Sequence, residues 1–180
     1  MSEQDQQQTG LLPGTANENP SDIGFWRLVD EDWKTHGEDF FAQGFWALFN
    51  HRFGNWRMSV RNKFLRAPLS LFYFVWLKVV EMSAGIYLPY VTKVGRRVKL
   101  EHFGGMILVA RSIGDDVIIR QSTTFGVRST KEVIGSPIIG DHVDIGVGAV
   151  ILGSTRVGDH AVIDHYKALF GSRITRGPDV

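Results

Sequence analysis

The chain has 180 residues, a net charge of +1 and no cysteine. That length allows one domain or two small units sharing a core, and the charge balance excludes a global field favouring nucleic acid or an acidic partner. Without thiols there is no disulfide, cysteine nucleophile or thiolate metal site.

The first stretch, residues 1–21, is built from Gln, Glu, Asn, Ser, Gly and Pro with little apolar content, a composition expected to be disordered. It has neither the basic start nor the apolar run of a signal peptide; with the absence of cysteine, this fits a cytoplasmic protein. Composition then changes abruptly. All five tryptophans and nine of the twelve phenylalanines lie between Phe25 and Trp76, which marks residues 22–86 as an aromatic-rich helical domain.

Ser21 or Asp22 is the expected cap of a first helix, with Phe25, Trp26, Val29 and Trp33 at helical spacing and Gly37 as its stop. A second helix fits Gln43 to Met58, where Phe45, Leu48, Phe49, Phe53 and Trp56 share a face. Pro68 suits the first turn of a third helix running from Leu69 to Met82, whose apolar run of about a dozen residues is shorter than a bilayer requires. Just before it, Arg52, Arg57, Arg61, Lys63 and Arg66 form a basic stretch without acids. This reads as a solvated face beside a buried helix; contact with an anionic membrane surface or with a phosphate-rich ligand is the alternative.

From Leu88 to Ile163 the chain repeats every six residues. Val94, Leu100, Ile113, Ile119, Ile139, Ile145, Ile151 and Val157 each open a hexad, and the fifth place is small or β-branched: Thr92, Val98, Gly104, Val117, Thr123, Val143, Ala149, Thr155 and Ala161. A six-residue period predicts a parallel β-helix, in which three hexads make a coil and coils bury their apolar residues only by stacking. The fold class is therefore α+β, with the β-helix over 87–180. Two phase breaks interrupt it. Met106 to Ser112 takes seven residues, and the fourteen from Phe125 to Ile139 are expected to loop out near Arg128 to Pro137.

Three segments carry a family resemblance. They are Gly85-Ile-Tyr-Leu-Pro, the run Val94-Gly-Arg-Arg-Val-Lys-Leu-Glu-His-Phe-Gly-Gly, and Ile113-Gly-Asp-Asp-Val-Ile-Ile-Arg-Gln-Ser-Thr-Thr-Phe-Gly. With Ile145-Gly-Val-Gly-Ala-Val-Ile-Leu-Gly, they resemble the serine acetyltransferase family over Gly85 to Ile163. The resemblance implies a left-handed β-helix, a homotrimer or dimer of trimers, acetyl-CoA as donor in a groove between subunits, a small-molecule hydroxyl as acceptor, and no metal. His102 matches the family's catalytic histidine, suited to deprotonating an alcohol near neutral pH, and a backbone N–H near Gly126 is the candidate oxyanion donor. Glu101 and Gln121 match acceptor-side positions. Gly126, Val127, Arg128, Val147, Ala149 and His165 fall where the donor is held.

The chain also departs from the family. Tyr87 stands where an acid orients the histidine. Gly135-Ser136-Pro137 replaces an Arg-His-Pro whose arginine would clamp an amino acid's carboxylate, with Arg128 or Lys131 as the only nearby substitutes. Val127-Arg128-Ser129 replaces a Gly-Thr-Gly donor loop, His165 and Tyr166 are bulky where the family is small, and the end after Ile163 is atypical. The leading expectation is an acetyl-CoA-dependent O-acetyltransferase acting on serine. A sugar O-acetyltransferase of surface-polysaccharide synthesis and an inactive trimeric scaffold are the alternatives.

Overall fold

A computed structural model describes residues 14, 16–127 and 135–174. Helix α1 (Phe25–Thr35), α2 (Gln43–Trp56) and α3 (Lys63–Ala84) precede fourteen short strands, from β1 (Ile86–Tyr87) to β14 (Arg173–Ile174). Each sheet takes every third strand, all in parallel: β1-β4-β7-β10-β13, β2-β5-β8-β11-β14 and β3-β6-β9-β12. This is the three-sided β-helix expected from the hexads, of the left-handed class.

Inside it the opening aliphatics form ladders. Leu100, Ile119, Ile145 and Ile163 stack on one side; Leu108, Phe125, Ile151 and Leu169 stack on the next, all buried. The small residues Val98, Val117, Val143 and Ala161 fill a corner between two sheets, also buried. Three interior threonines spend their hydroxyls on the backbone: Thr92 donates to the Leu108 carbonyl (3.1 Å), Thr123 to that of Arg120 (2.7 Å) and Thr155 to that of Leu152 (2.7 Å). The coil continues past Ile163, because β13 (Ala168–Phe170) pairs with β10 (Val150–Leu152) and β14 with β11 (Arg156–Val157).

Strand register relocates the first phase break. Leu100 to Leu108 spans eight residues, whereas their partners Ile119 and Phe125 are six apart. The extra two fall in the corner His102–Gly105, and the following side, Leu108 to Ile113, is one residue short. Met106, not Gly104, therefore points inward here. Most of the second break, residues 128–134, lies outside the described residues, as do residue 15 and those before 14.

The helical unit differs from expectation at its edges. Gly24, not Ser21 or Asp22, caps α1, and no side chain serves that cap; Asp22 instead pairs with Arg96 at 2.7 Å. Helix α2 ends at Trp56 and passes into a 3-10 turn, Arg57–Ser59. Helix α3 starts five residues before Pro68, because the Asn62 side chain accepts the Phe64 N–H (2.9 Å) and nucleates it earlier. At 22 residues it is long and apolar enough to cross a bilayer by length and composition, which overturns the shorter expected run. Tyr73, Leu77, Val80 and Ala84 on one face are nevertheless buried against the protein. Residues at the end of the segment expected to be disordered are held in place: the Glu18 N–H donates to Asn55 (3.0 Å), and Asn19 donates to the Arg52 carbonyl (2.9 Å).

Two members of the basic stretch are buried. The Arg57 guanidinium sits over the Tyr73 ring at 4.6 Å and the Tyr90 ring at 4.4 Å. Arg52 is 0% exposed and donates to Asp32 of α1 (2.9 Å) and to the carbonyls of Val94 (2.8 Å) and Gly95 (2.6 Å) in the first coil. Replacing Arg52 with Leu leaves Asp32 charged and buried with no cation, and should cost about 3–5 kcal/mol, read as a lowered midpoint in urea unfolding.

Candidate active site

The corner that leaves β3 (Lys99–Glu101) carries His102. Its backbone is left-handed (φ 66°), which turns the exposed side chain away from the prism. The two inserted residues make this corner bulge, and the bulge is pinned above and below. The Gly104 N–H donates to the Ala84 carbonyl at the end of α3 (2.8 Å), and the Ser122 N–H donates to the Gly104 carbonyl (3.0 Å). Extending the register of β3, β6, β9 and β12 places His102, Gln121, Val147 and His165 on one corner of successive coils. At about 4.8 Å per coil, His165 stands roughly 14 Å from His102.

Beside His102 is a cleft of about 320 Å³. Its second wall is the α1–α2 connection, with Asp39, Phe41, Gln43 and Gly44 facing Lys99, Glu101, His102 and Phe103. The walls meet closely because residue 44 is glycine: a Cβ there would lie 2.3 Å from the Leu100 carbonyl oxygen. His36 closes the base. Its Nε2 accepts the Leu100 N–H (3.2 Å) and its Nδ1 donates to the Asp32 carbonyl (2.7 Å), a neutral ring whose pKa burial holds below the usual histidine range.

Charge on this sheet is paired across coils. Glu101 takes Lys99 at 2.9 Å and Arg120 at 3.3 Å, and Arg120 also binds Asp144. Proximity to Asp144 raises the arginine's pKa. Glu101 is thus an anchored carboxylate at the cleft edge. The Gln121 Oε1 is buried and, among the described residues, has no hydrogen-bond partner.

The other expected residues are placed less evenly. Tyr87 lies on β1 opposite Ile107, and among the described residues no hydrogen bond joins it to His102. Gly126 ends β7 (Thr124–Gly126), its carbonyl accepting the Gly153 N–H at 2.9 Å, and Val127 follows it, partly exposed. Arg128 and Lys131 lie outside the described residues. Ala149 is an interior ladder residue with no exposed surface, so its side chain has nothing to offer a donor. Its fifth place in the hexad already carried that signal. His165 is exposed and its Nδ1 accepts the Val147 N–H (3.2 Å), while the Tyr166 ring lies against Gly148.

Sequence reasoning missed Asp39, Phe41 and Phe103. Phe103 had a signal, an aromatic at a solvent corner where the coil above has Ser122; Asp39 and Phe41 reach the cleft only through tertiary packing.

Under α2, His51 is fully buried and donates through Nε2 to the Thr92 carbonyl (2.7 Å). Burial pushes its pKa from the ordinary 6.5 down to about 3. Between those values the unfolded chain binds a proton that the folded chain refuses. This stability is complete above pH 6.5 or so and is lost as pH falls toward 3, by up to about 1.4 kcal/mol per pH unit. Urea unfolding at pH 7.5, 6.5 and 5.5 should show the decline, and His51→Asn should flatten it.

No protein-family model matches the chain. It is similar to the serine acetyltransferase of Salmonella typhimurium, 36% identical over 124 residues that cover 68% of this chain and 43% of that protein. It is also similar to that of Mycobacterium tuberculosis, 26% identical over 67% of this chain and 50% of that one. The chain thus spans about half the length of these relatives. Among solved structures, serine acetyltransferase from Neisseria gonorrhoeae aligns with a TM-score of 0.69 at 24% identity, over 89% of this chain and 64% of that one. The enzyme from Brucella abortus, solved in complex with coenzyme A, aligns with a TM-score of 0.64 at 17% identity, over 92% and 77%. These likenesses show the fold.

Proposed function

We propose that this chain, a relative of the serine acetyltransferases, moves an acetyl group from acetyl-CoA to a hydroxyl, with His102 as general base. The observation that carries the reading is the bulged corner, which sets an exposed imidazole where the α1–α2 cleft meets the column Gln121–Val147–His165. In this reading the acceptor occupies the cleft and the pantetheine arm runs along the column. His102 removes the hydroxyl proton, the oxygen attacks the thioester carbonyl, and the tetrahedral oxyanion collapses with loss of the thiolate. Protonated His102 returns the proton to that sulfur. A backbone N–H near Gly126 is the proposed oxyanion donor. Asp39, in the same cleft, and Tyr87 are the candidates to orient the imidazole; only Asp39 brings a charge that stabilises the imidazolium. A homotrimer or dimer of trimers, with the donor between neighbouring coils, and a cytoplasmic setting complete this reading.

The relatives favour serine as the acceptor. A sugar hydroxyl is the second reading, because Phe41 and Phe103 in the cleft are 81% and 60% exposed, aromatic side chains of the kind on which a pyranose stacks. Gly135 also stands where the family's arginine would clamp a carboxylate.

Release of free CoA from acetyl-CoA, assayed with serine and with a panel of sugars and nucleotide sugars, decides between them. His102→Ala should lower the rate by about 10²–10⁴ with any active acceptor. If neither class of acceptor releases CoA, and calorimetry shows no acetyl-CoA binding, the scaffold reading replaces both. His165→Ala frees the Val147 N–H and opens the column, and should lower KM for acetyl-CoA while leaving kcat nearly unchanged.

A further inference from the structure

The outward side of α3 is apolar and uncovered. Phe64, Pro68, Leu71, Val75 and Met82 recur along it at helical spacing, with Phe64 90% and Met82 87% exposed. Leu65, Phe72, Phe74 and Val79 widen the stripe, all of them exposed. The apolar surface runs on through a chain of ring contacts, Phe72–Phe53–Trp56–Phe25–Trp26, and ends at Trp26, itself 75% exposed. The helix is therefore apolar nearly all round while only one face is packed, a condition that calls for an apolar medium on the other.

Charge selects the medium. Arg61, Lys63 and Arg66 cluster at the start of α3, and no acid occurs from Arg57 to Val80. Cations at a helix N-terminus oppose the macrodipole, so their place is not explained by helix stability. Among the described residues none of the three is in an ion pair. The single acid near the far end, Glu81, is held by Lys78 at 2.5 Å. A second copy docking through the same stripe would set this cationic rim against its own like charges, and the one acid of α3 is already held. An anionic lipid surface supplies both the apolar depth and the negative charge.

We propose that α3 lies in the plane of an anionic membrane surface, with its Phe64–Met82 stripe sunk among the acyl chains, Arg61, Lys63 and Arg66 on the headgroups, and Trp26 at the boundary. The opposite face, Tyr73–Ala84, stays packed on the protein, so the helix rests on the bilayer and does not cross it. The inference stands apart from the identity of the acceptor.

Flotation of the full chain with phosphatidylcholine vesicles, with and without 30% phosphatidylglycerol, tests it. The chain should float with the anionic vesicles and much less with the neutral ones. Arg61→Gln, Lys63→Gln and Arg66→Gln together should cut partitioning about a hundredfold at low salt. Leu71→Glu with Val75→Glu should abolish flotation with an unchanged circular dichroism spectrum, since both positions are on the exposed side. Wild-type protein remaining at the bottom overturns the proposal, as does flotation that survives the Leu71 and Val75 changes. Self-association in sedimentation that those changes dissolve, with no flotation, also overturns it and assigns the face to a second copy.

Discussion

The guanidinium of Arg52 is the point on which the two halves of the molecule depend. It leaves α2, grips a carboxylate of α1, and donates to two carbonyls of the first coil. A solenoid end otherwise exposes an apolar cross-section, and here helices cover it. An arginine suits this role because its donors are fixed in a plane and keep their charge at any working pH. With Asp32 and the two carbonyls in place, that charge is satisfied; without them it would be a large penalty. The clamp thus decides the angle at which the helical unit meets the coil, and through it the width of the cleft beside His102.

From that joint the site follows by packing. Gly44 lets α2 start flush against β3, His36 ties the loop before it to Leu100, and the α1–α2 connection is left facing the His102 corner. The stacking supplies the other axis. Every coil adds one more residue to the corner column, so a ligand lying along it touches the chain at intervals set by the strand spacing. Function in such a fold is a matter of which residues stand at the corners, since the interior ladders are nearly interchangeable.

How far the sequence could be read follows the same division. The hexads identify the interior residues, because burial in a narrow prism constrains size and branching at fixed spacing; Val98, Val117, Val143 and Ala161 stand where the period puts them. Counting sees only net phase, so an insertion of two at His102 and a shortening by one after Leu108 read together as a single extra residue near Met106. Arg52 was invisible for another reason: a cation in a run of cations looks solvated until its partner, twenty residues away on another helix, is brought under it. The ion pairs of Glu101 with Arg120 and of Arg120 with Asp144 join neighbouring coils and are likewise hidden from local reading. Helix α3 began early because one asparagine outweighed the signal of a proline.

The bulge at His102–Gly105 has a consequence for how such a chain can change. Its two surplus residues sit outside the ladders, and Gly104 already occupies the hydrogen-bonded place beneath Ser122. Excising His102 and Phe103 would bring the Leu100–Leu108 span to the six residues of Ile119–Phe125 and leave the interior ladders whole. The His102 corner is thus a detachable graft on the spiral, gained or shed without renegotiating the ladders that carry it.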